Sequence, residues 1–159
     1  MAVDKDVFRS LMGCFAAGVT VVTTVDADGV PFGLTATAFS SVSLAPPLAL
    51  VCIGKDSGSY AQFAACSYFA VNFLAVGQAD LSQRFASSGG DKFATLDWTR
   101  GDCGVPILAG TIGFAECRLV HSYEGGDHTI FVGQIEAGAA SDGTPLTYFR
   151  GAYRRLTEI

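Results

Sequence analysis

The segment Val19-Thr20-Val21-Val22-Thr23-Thr24-Val25, closed by Asp28-Gly29 and answered from Pro31 to Ala38, decides the fold class. Seven consecutive positions are occupied by valine or threonine, whose branched Cβ suits an extended chain. Asp-Gly is a strong signal for a tight hairpin turn. The pair therefore reads as two antiparallel strands. Downstream, Leu48-Ala49-Leu50-Val51-Cys52-Ile53 is apolar at every position, as in a strand buried on both faces. Pro46-Pro47 before it lacks backbone donors and excludes a central ladder position there.

Further strands are expected at Tyr68–Leu74, Thr111–His121, Thr129–Ala139 and Thr147–Tyr153, with turns at Glu124–Asp127 and Ser141–Gly143. Helices are few and short. Asp4 caps a segment to Phe15 with Phe8, Leu11, Met12 and Phe15 at helical spacing; Ser57 caps another through Tyr60, Phe63 and Ala64; Gln78 to Ala86 forms a third, Leu81 and Phe85 inward. Ser87–Val105, rich in glycine, serine and aspartate, reads as an exposed loop. The pattern predicts one mainly β domain over residues 1–159, an antiparallel barrel with helical additions.

Half of the 159 residues are hydrophobic and only 16% are charged, against about 25% in ordinary domains. A monomer of this mass exposes roughly 7,500 Å² when folded. So few charges leave apolar surface in need of cover, which a second copy or an apolar cofactor would provide. The net charge of −5, with no basic run, argues against nucleic acid. No apolar stretch reaches membrane-spanning length. Five cysteines without a C-x-x-C pair read as reduced thiols in a cytoplasm. Two histidines and dispersed thiols provide no metal centre.

Two polar clusters remain. Thr35-Ala36-Thr37-Ala38-Phe39-Ser40-Ser41-Val42-Ser43 is either the outward face of a strand or a place where hydroxyls and free N–H groups hold a phosphate or a heteroaromatic edge. Lys55-Asp56-Ser57 with Ser59 is either a strand-to-helix turn or a source of positive charge for a phosphate.

Read together with Phe69-Ala70-Val71-Asn72-Phe73-Leu74, Asp91-Lys92-Phe93 and Gly126-Asp127-His128, the segment Gly33–Leu48 resembles the short flavin reductases of two-component flavin monooxygenases. The resemblance implies an FMN-binding split barrel, a homodimer, and hydride transfer from NADH or NADPH to FMN or FAD for a partner monooxygenase. It implies that Thr35, Ala36, Thr37, Ala38, Phe39, Ser40, Cys52, Ile53 and Lys55 meet the flavin, with Ser57 and Ser59 near its phosphate. Backbone N–H groups around Ala38 and Phe39 would stabilise negative charge on the reduced ring. Asn72 either bonds flavin or satisfies a strand end. Gln78, Leu81 and Phe85 shape the wall, and Tyr148 and Tyr153 are stacking candidates. His128 is the catalytic candidate, placed against the nicotinamide. An electron carrier without NAD(P)H activity is the alternative.

Overall fold

The computed structural model of the protein describes residues 2–157. After the helix α1 (Lys5–Met12) and the short β1 (Ala17–Gly18), the chain forms β2 (Thr20–Val25) and β3 (Pro31–Ala36), the hairpin expected from the sequence. Strand β4 (Phe39–Leu44) turns back through Ala45-Pro46 into β5 (Pro47–Gly54). Helix α2 (Tyr60–Ala65), β6 (Tyr68–Phe73) and α3 (Ala79–Ala86) follow. Then come β7 (Trp98–Arg100), β8 (Pro106–Leu108), the long pair β9 (Gly113–Gly125) and β10 (His128–Ala140), and finally β11 (Leu146–Phe149) and β12 (Ala152–Arg155).

Seven strands make one antiparallel sheet in the order β3-β2-β6-β9-β10-β5-β4. Its two edge strands, β3 and β4, are consecutive in sequence and joined only by Thr37 and Ala38. The sheet therefore curls back toward itself, and the Cys52 N–H, donating to the Ala38 carbonyl at 2.9 Å, extends the β4–β5 pairing onto the two-residue link. Along its length β3 is paired with β2 alone. The barrel is thus split between β3 and the end of β5.

Two cores follow from the alternation of side chains along a strand. In β2, Val22 faces a barrel interior filled by Val51, Ile53, Phe63, Phe69 and Phe131. Its neighbour Val21 faces the other way, onto Phe85, Phe93, Leu108 and Leu146. Both faces of β2 are covered, so its threonines are buried too. Each spends its hydroxyl on a carbonyl: Thr20 on Ala36, Thr23 on Pro106 and Thr24 on Tyr68.

The structure corrects the sequence reading in four places. Ser87–Val105 is not simply an exposed loop: Phe93 is buried, and β7 within it pairs with β8. Asp91 caps this stretch by accepting from the Phe93 and Ala94 N–H groups. The final expected strand is two, β11 and β12, folded at Arg150-Gly151 with φ of +50° and +75°. Arginine there hides the turn from a search for Asn-Gly or Asp-Gly. Ser57 does not cap α2, which begins after Ser59. Helix α1 ends at Met12 with Asp4 as its N-cap, and it buries no residue at all.

Candidate active site

A cavity of about 700 Å³ occupies the split. One wall is the strand from Val30 to Ala38, the other is Cys52 to Gly54 with the turn at Asp56–Ser59. Phe85 at the end of α3, the Ser87–Phe93 segment and His128 complete it. Ligand cavities commonly fall at 300–1,000 Å³.

Close packing positions the α3 wall. A Cβ on Gly33 would lie 2.7 Å from the Phe85 ring, so only glycine lets the helix approach β3 this closely. The Thr35 hydroxyl donates to the Ser82 carbonyl at 2.6 Å, and Tyr153 donates to the Ser82 hydroxyl at 2.8 Å. Phe93 stacks edge-on with Phe85 and with Trp98, at 5.1 and 5.7 Å between centroids. This aromatic row brings the Ser87–Lys92 segment to the cavity.

Of the residues singled out in the sequence, Thr35, Ala36, Thr37, Ala38, Cys52, Ile53, Ser57, Ser59, Phe85 and His128 line this one space. Their polar atoms are not equally available. The hydroxyls of Thr35 and Ser59 are committed to the carbonyls of Ser82 and Gly33. The Phe39 N–H is spent on the Thr37 carbonyl, which leaves Ala38 as the uncommitted amide of that pair among the described residues. Ser57 accepts from the Ser59 N–H and keeps its own O–H.

The remaining candidates lie elsewhere. Phe39 turns its ring to Phe73, and Ser40 bonds its hydroxyl to the neighbouring Ser41 carbonyl. Asn72 is fully buried and fully satisfied: its amide donates to Val21 and Thr23 and accepts from the Leu108 N–H. It fastens β8 to the sheet and has nothing left for a ligand. Gln78 bridges Ala75 and Ala109, Leu81 packs in the second core, and Tyr148 and Tyr153 stack on each other. Lys55 is held by the Glu124 carboxylate, which with the carboxylate field around it raises the lysine above its ordinary value.

The cation that does face the cavity is Lys92, to which the local sequence pattern assigns no role. It is the one lysine or arginine in the described lining. Its Nζ donates to the Phe85 carbonyl at 3.0 Å, at the negative end of α3. Burial lowers its pKa. The signal in the sequence was Phe93, an aromatic inside an otherwise polar stretch. Burial pushes the Cys52 thiol up, so it stays protonated at neutral pH. His128 is half-exposed, and its Nδ1–H donates to the Asp127 carboxylate at 2.8 Å. That bond holds the Asp127 carboxyl below the usual carboxylate range.

The flavin reductase-like domain family matches residues 12–157. A flavin reductase (NADH) of Kitasatospora aureofaciens is 45% identical over 157 residues, covering 96% of this chain and 82% of that protein. The FMN reductase (NADH) SmoA of Agrobacterium fabrum is 42% identical over 150 residues, covering 94% and 85%. Against a probable flavin reductase of Rhizobium meliloti, 43% identical, the chain spans only 48% of the relative's length. Among solved structures, the NADH:FAD oxidoreductase SgcE6 of Streptomyces globisporus C-1027 superimposes with a TM-score of 0.91 at 40% identity, over 99% of this chain and 97% of that one. With its split barrel and the match running through both walls of the cavity, the chain belongs to the flavin reductase-like domain family.

Proposed function

We infer that this protein is an NAD(P)H:flavin oxidoreductase. It takes hydride from NADH or NADPH onto FMN or FAD and supplies the reduced flavin to a separate monooxygenase component. The observation that carries this reading is the convergence of Thr35–Ala38, Ser57, Lys92 and His128 on one cavity. Relatives that include NADH in their names favour a reductase over an electron carrier.

The lining fits a flavin. Phe32 and Ala38 offer apolar surface for a fused ring, and Lys92 with Ser57 offers a cation and a hydroxyl for its phosphate. Bound flavin supplies the hydride acceptor. The Ala38 N–H is a fixed donor for negative charge that develops on the ring, and costs no reorganisation at the moment of reaction. His128 orients the nicotinamide at the cavity mouth. Cys52 stays a packed thiol.

The protein works as a homodimer in this reading. Phe8, Leu11 and Met12 on α1 are more than half exposed, and among the described residues none buries them. The accessible area is 9277 Å², well above the roughly 7,500 Å² of a self-sufficient monomer of this mass. Five free cysteines suit a reducing compartment such as the cytoplasm.

The test is anaerobic titration of the protein with FMN and FAD, each against NADH and NADPH, following loss of the oxidised flavin absorbance. Catalysed bleaching with at least one pair is expected. Tight flavin binding with no acceleration by either nicotinamide would leave the carrier as the better account.

A further inference from the structure

Lys55 follows Gly54 at the end of β5, where a free lysine would be placed to meet a phosphate. Its contacts lead elsewhere. The Nζ donates to the Glu124 carboxylate and, at 2.9 Å, to the Gly126 carbonyl. Its backbone N–H donates to the Asp127 carbonyl at 3.0 Å. Three bonds from one residue thus reach three of the four residues preceding His128.

That turn needs holding. It contains Gly125 and Gly126, the latter at φ +76°, and glycine restrains the backbone least. His128 pairs in register with Gly54, which has no side chain to support the imidazole. A Cβ on Gly54 would lie 3.6 Å from the His128 Nε2. The ring is oriented instead from the turn, through the bond between its Nδ1–H and the Asp127 carboxylate.

We propose that Lys55 is a positioning residue. With Glu124 it clamps the β9–β10 turn onto the end of β5, and through Asp127 it sets His128 at the cavity. This rests on the reading of His128 as the nicotinamide contact. An exposed ion pair adds little to global stability. A small displacement of a reacting ring, by contrast, slows transfer steeply. The clamp therefore acts on nicotinamide kinetics and leaves flavin affinity and the fold alone.

The experiment compares Lys55→Met, Lys55→Arg, Glu124→Gln and the Lys55→Met/Glu124→Gln double variant. Flavin dissociation constants, thermal midpoints, and kcat and KM for NADH at saturating flavin are measured for each. Lys55→Met and Glu124→Gln should each lower kcat/KM for NADH about three- to tenfold. The double variant should be no worse than the worse single one, because both remove the same clamp. Lys55→Arg should restore most of the loss, and flavin affinity should stay within about twofold of the parent. A tenfold weaker flavin with normal NADH kinetics at saturation would make Lys55 a phosphate ligand and overturn the proposal. Unchanged NADH kinetics in folded Lys55→Met would overturn it as well. His128→Ala in the same assay separates the two levels. If it is impaired while the Lys55 variants are not, only the clamp fails; if it too is normal, the reading of the site fails. Should Lys55→Met not fold, Glu124→Gln carries the test, since it changes one exposed carboxylate.

Discussion

At the scale of single residues, the site turns on which polar atoms the fold has already used. Lys55 stands beside two serines in sequence and draws attention as a phosphate ligand, yet Glu124, 69 positions away, engages it. No local pattern reveals such a partner. Lys92 is the reverse case, a lysine in a polar stretch that Phe93 draws to the cavity. Lys92→Met should weaken FMN binding about five- to tenfold, in keeping with the loss of a charge-assisted bond at a partly exposed site. The pH dependence has a definite sign. Only the ammonium form binds phosphate, and desolvation lowers the pH at which Lys92 loses its proton. Flavin affinity should therefore hold through neutrality and fall on the alkaline side at a pH below 10.5, the ordinary lysine value. Fluorescence titration between neutral and alkaline pH should show that fall in the parent and not in Lys92→Met.

Among the elements, legibility followed the range of the interactions that form them. The β2–β3 hairpin and β5 could be read directly, because β-branched runs, Asp28-Gly29 and Pro46-Pro47 are local signals. The β7–β8 pair could not, since what makes strands of Trp98–Arg100 and Pro106–Leu108 is docking onto β2 and β6 through Thr23 and Asn72. Asn72 itself sits within an apolar strand, where local sequence does not distinguish an amide that bonds a ligand from one that bonds β2 and β8. Asn72→Ala should leave the Leu108 N–H and the Val21 carbonyl without their amide partner, at about 1–3 kcal/mol for each group so orphaned. Denaturant unfolding should record at least about 2 kcal/mol of destabilisation. Flavin affinity of the folded fraction should be unchanged; a selective loss of affinity at full stability would return Asn72 to the site.

For the whole molecule, the composition anticipated an apolar excess, and the structure locates part of it on α1. That helix is capped by Asp4 and tied to the body through the Arg150 N–H on the Gly13 carbonyl, with no buried side chain. The sequence revealed its apolar periodicity but not where that face points, which depends on how the chain enters the barrel. If the proposed homodimer is built on α1, Leu11→Glu together with Phe8→Glu should yield a species sedimenting at the 16.5 kDa chain mass where the parent sediments at twice that. Sedimentation velocity at low micromolar concentration decides it, and an unaltered dimer would put the interface on another surface. The split sheet has a further consequence, in mechanical terms. A ring cut at one place is compliant at the cut, as a snap ring is, and stiff around the rest of its circumference. Here the cut is the gap between β3 and β5, where widening the gap ruptures no ladder hydrogen bond, because β3 forms its ladder with β2 alone and, among the described residues, only the Ser59 hydroxyl on the Gly33 carbonyl spans the opening. Guest exchange is thereby uncoupled from unfolding. Native-state amide exchange should register this as earlier labelling along β3 than in β2 and β6, and a ligand lodged in the gap should slow the β3 amides selectively.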